Sequence, residues 1–297
     1  MSKIHLTIID PQHDFMYEGL PTPDGSDIPS LGKSSINGGP FVPEPGKLAV
    51  GGAQNDGFRL ANMISKGRKK IDEISVTMDS HRVIHIAHPF FWRDENGNMP
   101  TPFSIIDSND VIGKNPRWRP YNPGDQKWCE NYVTALEKKG RNKLCIWPPH
   151  CLIGSHGWQV FAPVFNALRE YEEKEWATIN WIVKGDDPYT EWYSAVQADV
   201  EIPKNPKTMI NTDFIESFKN YDLILIAGEA LSHCIRFSFE DIFTVLGDKA
   251  VKKFMLVTDT TSPVGVPQFV QDADDFVKKY TALGMQKCTT DEFIASV

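Results

Sequence analysis

The sequence predicts an α/β fold, a three-layer α/β/α sandwich of Rossmann-like character around a mostly parallel sheet, and two observations carry that reading. Short β-rich runs recur along the chain, and several are continuously apolar, as strands covered on both faces are. Between them lie stretches whose apolar residues fall near helical spacing, most of them closing on a glycine. Alternating strands and helices of this kind build a parallel sheet with helices on both of its faces.

The expected strands are "IHLTIID" at 4 to 10, "EISVTMD" at 73 to 79, "KLCIW" at 143 to 147, "NWIVKG" at 180 to 185, "DLILIAG" at 222 to 228 and "KKFMLVTD" at 252 to 259. The expected helices lie in "DGFRLANMISKG", "GWQVFAPVFNALREYEEK", "CIRFSFEDIFTVLG" and "PQFVQDADDFVKKYTALG". Two stretches break the rhythm, at about 16 to 55 and 93 to 130, and read as long loop insertions of the kind that serve as lids, binding loops or interface arms. The chain of 297 residues is read as a single domain, 1 to 297, carrying both insertions.

Composition excludes several classes. A formal charge of -8 repels phosphate backbones, and "KGRKK" at Lys66 is a short helix end, so no nucleic acid is expected as partner. No apolar run is long enough to span a bilayer and "MSKIHLTIID" lacks the sections of a signal peptide, so a cytoplasmic protein with no membrane partner is expected. The five cysteines are scattered without CxxC spacing, which reads as reduced thiols. A homo-oligomer is left open.

In open α/β sheets ligands bind beyond the carboxyl ends of the strands, and titratable residues end nearly every strand here. Cys234 follows an apolar strand and a glycine-containing turn, about where a helix begins. A thiol there suits a nucleophile, with the free N–H groups of the turn placed to hold an oxyanion; a small core cysteine is the other reading. Asp10 could take and return a thiol proton, or cap a turn. Lys184 could stabilise a thiolate or orient Asp10, or be a surface lysine at a strand end. Asp79 and His81 form a D-x-H pair suited to zinc, iron or manganese, with His150 of "WPPHC" able to complete a facial set; a solvated turn is the alternative. His85 and His88 are further candidates beside an aromatic cluster, where packing is the common role.

Taken together these segments resemble the nicotinamidase/pyrazinamidase branch of the isochorismatase-like cysteine hydrolases. "IIDPQHDF" is similar to the family's D-x-Q-x-D-F, "MDSHRVIHIAH" to its D-W-H...H-I-S, "WPPHC" to its W-P-x-H-C, "KGDDPYTEWYSA" to its K-G...Y-S-x-F and "GEALSHC" to its G-x-A-T-x-x-C. "VTDTTSP" matches the stretch after the next strand, so six segments follow in the family's order.

The resemblance implies an isochorismatase-like hydrolase fold and a catalytic triad of Asp10, Lys184 and Cys234. It implies one divalent metal ion, zinc first with iron or manganese as alternatives, bound by Asp79, His81 and His150, with His85 as an additional ligand in some relatives. Phe15, Trp147 and Tyr193 match positions that line the nicotinamide pocket. Ala230 matches the backbone donor that shares the oxyanion hole with the Cys234 N–H, next to a cis peptide at Glu229–Ala230. The implied activity is hydrolysis of nicotinamide to nicotinic acid and ammonia through a Cys234 thioester, as in NAD salvage. The alternatives are an amidase for another small amide, a carbamoyl or ureido compound, and a binding homologue without turnover. Ser80, Glu229, Leu231 and Val196 depart from the family pattern, while Cys151 is expected to be a packed bystander.

Overall fold

The structure is a computed structural model that describes residues 2–20 and 44–296. Its main strands are β1 (Ile4–Ile9), β2 (Glu73–Asp79), β3 (Asn180–Lys184), β4 (Leu223–Gly228), β5 (Phe254–Val257) and β6 (Gln286–Cys288). The longer helices are α1 (Ala53–Gly67), α2 (Gln126–Lys139), α3 (Ala162–Glu175), α4 (Arg236–Leu246) and α5 (Pro267–Ala282), followed by the short α6 (Thr290–Ala295). All six strands run parallel in one sheet of order β6-β5-β4-β1-β2-β3.

The continuous apolar run of β4 is explained by its period of two, since alternate side chains point to opposite faces and both faces are covered. Leu225 and Ala227 enter a core with Leu60, Met63 and Ile64 of α1, Val164 and Leu168 of α3, and Phe293 of α6. Ile224 and Ile226 enter a second core with Phe239, Ile242 and Phe243 of α4 and Phe276 and Tyr280 of α5. The helices stop where expected: α1 runs to Gly67 and α4 ends against Gly247.

Register places the chemistry. Ile9 pairs with Gly228, Ile8 with Val76 and Asp79 with Lys184, so the ends of four adjacent strands lie level along one edge. Gly228 is required there. Its φ is 107°, and a Cβ would come within 2.0 Å of the Ile9 carbonyl oxygen, inside any allowed contact.

Three sequence expectations are corrected. "KLCIW" is not a strand of the main sheet: Leu144–Cys145 pairs antiparallel with Ile105–Ile106, and the Trp147 N–H donates to Ala87 O at 2.8 Å. Its apolar residues face a third core instead, with Trp92, Val111, Trp118 and Tyr132. The 93 to 130 insertion is not a bare loop, because it supplies that core, contributes the antiparallel pair Trp92–Arg93 with Arg119–Pro120, and leads into α2, a helix missed because its apolar face is sparse. The edge strand β6, "QKC", is too short and polar to show periodicity. Of the first insertion, residues 21–43 lie outside the described residues, while Gly46 and Leu48 donate to Tyr17 O and Asp14 O at 2.8 and 3.1 Å. Among the described residues, no helix is long and apolar enough to cross a membrane.

Gly228→Ala is expected to destabilise the fold by at least about 2 kcal/mol, since it adds both strain at positive φ and a backbone clash. Chemical denaturation of the variant against wild type measures this.

Candidate active site

Lys184 closes β3 with its side chain fully buried, and an ammonium is kept there only by compensating partners. Its Nζ lies 2.9 Å from Asp10 Oδ2 and 3.1 Å from Asp79 Oδ1, donates to Trp192 O at 2.9 Å and stands 3.7 Å from Cys234 Sγ. Burial disfavours its charge, but the two carboxylates outweigh burial and hold its pKa well above the ordinary lysine value. Three residues from the ends of neighbouring strands and one from the turn after β4 thus meet at a single nitrogen.

Asp10 is pushed above the usual aspartate range, first by burial, with Lys184 opposing and Asp79 adding to the rise. Thr77 Oγ1 donates to its Oδ1 at 2.6 Å and holds it down. Asp79 falls well below its usual value, because His81 and Lys184 together overcome the cost of burial. The Cys234 thiol is raised well above the ordinary cysteine value by burial, with Lys184 pulling down and Asp10 and Asp79 pushing up; it also hydrogen-bonds Asp10. The resting sulfur is therefore a neutral thiol beside a carboxylate able to take its proton.

After β4 the backbone is tied from several sides. The Glu229 N–H donates to Ile9 O at 2.8 Å, the Glu229–Ala230 peptide is cis, and Leu231 N–H donates to Ser262 O at 3.0 Å. A wide turn follows, closed by the Ile235 N–H on Ala230 O at 3.2 Å, before α4 begins at Arg236. The helical course thus begins with this wide turn, Leu231–Ile235, which holds Cys234 and runs directly into α4. Ala230 and Cys234 both line the cavity.

On the other side of Lys184, Asp79 Oδ2 lies 2.9 Å from His81 Nε2 and 3.3 Å from His150 Nε2. Donors ~2.1 Å from one metal stand about 3.0–3.4 Å apart in octahedral or tetrahedral array, so this set fits a single divalent ion. His150 Nδ1–H donates to Pro148 O at 2.8 Å, which fixes the ring with Nε2 turned toward Asp79. The pairing of His81 with Leu152 brings the "WPPHC" loop to the end of β2. His85 has both nitrogens engaged by backbone, Nε2–H donating to Thr190 O at 3.1 Å and Nδ1 accepting from Ala87 N–H at 3.2 Å. With His81 and His88 it nevertheless belongs to a second buried group with ligand atoms within 4.8 Å of one another. Burial, then the neighbouring imidazoles, holds His85 and His88 neutral, the latter near a pKa of about 2.

The cavity over these groups is small, with a free volume of about 30 Å³. Phe15, Trp147 and Tyr193 all line it, and Trp147 Nε1–H donates to Tyr193 Oη at 2.8 Å. Cys151 does not line it. Its N–H donates to Asp14 Oδ2 at 2.7 Å and its buried thiol is pushed far up, first by burial and then by nearby carboxylates. Asp259, which also ends a strand, instead accepts from the Thr290 N–H and hydroxyl at 2.8 Å and anchors the start of α6.

Solved structures with a similar course of chain include nicotinamidases. An Acinetobacter baumanii nicotinamidase pyrazinamidase matches at a TM-score of 0.55 and 16% identity, covering 98% of each chain. The yeast nicotinamidase matches at 0.55 and 16% identity over 96% of this chain and 98% of its own. The same yeast protein, bound to the inhibitor nicotinaldehyde, matches at 0.56 and 15% identity over 96% and 99%. This chain has the nicotinamidase fold. No protein-family model matches it, and no curated protein sequence does. In the nicotinamidase fold, as described here, strand order reverses at β1, and the cavity lies beyond the β1 and β4 ends where such sheets bind ligands.

Sequence reasoning missed Glu191 and His233 as cavity residues. Glu191 Oε1 lies 3.8 Å from His81 Nε2, and its signal was its place two residues before Tyr193 in the loop that leaves β3. His233, held near a pKa of about 3 by burial and then Arg236, packs edge-on against Trp147 at 5.3 Å. It is the direct neighbour of Cys234.

His150→Ala is expected to weaken divalent metal binding by at least about 100-fold, beyond what loss of a supporting partner alone costs. Cys151→Ala should leave it unchanged, as elemental analysis after zinc loading and desalting will show.

Proposed function

We propose that this protein is a metal-containing nicotinamidase, a cysteine amidohydrolase that converts nicotinamide to nicotinic acid and ammonia. The observation that carries the reading is the one ammonium, Lys184, joining Asp10, Asp79 and Cys234 beneath a cavity whose other side presents Asp79, His81 and His150. The nicotinamidase fold supports it, as does the aromatic wall of Phe15, Trp147 and Tyr193.

In this mechanism Asp10 takes the Cys234 proton as the sulfur attacks the amide carbon. The new C–S bond pushes the carbonyl electron pair onto oxygen, where the N–H groups of Ala230 and Cys234 receive it, each such donor contributing roughly 3 kcal/mol. Collapse of this adduct breaks the C–N bond, and Asp10 passes its proton to the departing nitrogen, releasing ammonia. A water then attacks the thioester, Asp10 again taking a proton, and the second collapse breaks C–S and returns the proton to the thiol. Lys184 keeps Asp10 aimed at the sulfur and steadies the negative charge that passes between them. A metal held by Asp79, His81 and His150, most simply zinc, would supply a Lewis-acidic anchor for the ring nitrogen, directly or through bound water.

Ammonia release from nicotinamide is the deciding measurement. Wild type should release it, and Cys234→Ala should lower the rate by on the order of 10⁴-fold or more. Release only from another amide would replace the substrate and keep the triad; undiminished activity in Cys234→Ala would overturn the mechanism. A pH prediction follows from Asp10, which must be ionised to act, so kcat/KM should rise with pH through an acid limb set above the ordinary aspartate value. Thr77 donates to the ionised form, so Thr77→Val should move that limb to higher pH by up to about 1 unit.

A further inference from the structure

Glu229 is a fully buried acid that the mechanism above does not use. Its Oε2 accepts the Ser262 N–H at 3.1 Å, its Oε1 is buried without a hydrogen-bond partner among the described residues, and its nearest acidic neighbour is Asp56 from the first turn of α1. Asp56 in turn accepts from Ser262 Oγ at 2.5 Å and is ion-paired with Arg59. Two neighbouring carboxyl groups shielded from water cannot both be ionised, so they carry one proton between them. Burial raises Asp56 as well, but Ser262 and Arg59 hold it down, so Glu229 is the one that keeps the proton. Burial and then Asp56 push Glu229 well above the ordinary glutamate value, in keeping with that assignment.

The clamp closes around one residue. Glu229 and Leu231, the two neighbours of Ala230, both bind Ser262, Glu229 through its carboxyl and Leu231 through its N–H at 3.0 Å. Ser262 is held to α1 by its hydroxyl, and the Glu229 backbone to β1 by the bond to Ile9 O. Ala230 itself faces the cavity beside Cys234.

We propose that Glu229 is a positioning residue for the oxyanion hole: by accepting from the Ser262 N–H it closes the clamp that holds the Ala230 N–H at the bearing the hole requires. The inference rests on the amidase reading above. Glu229→Gln retains the acceptor and should keep kcat within about threefold of wild type. Glu229→Leu retains bulk but not the bond, and with an oxyanion donor worth about 10²–10³ in kcat when lost outright, a misaimed one should lower kcat about 10- to 100-fold with KM within about threefold. Thermal unfolding run alongside separates a folded variant from an unfolded one.

A folded Glu229→Leu with wild-type kcat overturns the proposal, as does a Glu229→Gln as damaged as Glu229→Leu. If Glu229→Leu does not fold, the alkaline limb of kcat decides. Ionisation of Glu229 against Asp56 should bring kcat down at high pH in wild type, and the limb should recede in Glu229→Gln, which cannot ionise. The other charged groups facing this site, Glu18, Arg59 and Asp259, are common to both proteins. Identical limbs overturn the proposal. Wild type without activity on nicotinamide or any small amide overturns the amidase reading and this inference with it; an active enzyme indifferent to residue 229 overturns the inference alone.

Discussion

A single buried ammonium governs this architecture. Lys184 draws Asp10 and Asp79 together, and without it two carboxylates would sit in the same desolvated space with their repulsion uncompensated. It spends one oxygen of Asp79, Oδ1, and leaves Oδ2 to His81 and His150. The acid–thiol half of the site and the metal-capable half are thereby held at fixed separation by a side chain common to both.

That arrangement depends on register as much as on residue type. Asp79 and Lys184 are cross-strand partners, and Ile9 and Gly228 are partners one residue before Asp10 and Glu229. A slip of one residue would turn each of these side chains to the opposite face of the sheet and dissolve the cluster. The glycine at 228 and the alternating burial of β4 between two cores make such a slip costly, so packing far from the cavity sets the distances within it.

What could be read from the sequence divides along the same line. Asp10, Asp79 and Lys184 were legible because they close strands whose apolar pattern is strong, and strand ends are where such sheets place chemistry. Cys234 and His150 were candidates on position and residue type, while the aromatic trio needed the family resemblance, since each aromatic alone has an ordinary packing role. Glu191 and His233 were not legible, because which residues of an irregular loop face inward is settled by tertiary contacts rather than by period. The same holds for "KLCIW", whose strand-like composition was genuine while its partner, Ile105–Ile106, came from a stretch read as loop. The short polar β6 and the sparse face of α2 carry too little pattern to be seen locally.

The third core, built from the stretch around 86–147 together with Tyr193 and Phe237, is where Trp147 is seated. The reacting groups, by contrast, hang from the parallel sheet and its two cores. Trp147 and Tyr193 on the cavity wall and the cluster around Lys184 therefore answer to different hydrophobic cores. Substitutions in the third core can thus reshape that part of the wall while the Lys184 cluster keeps its spacing.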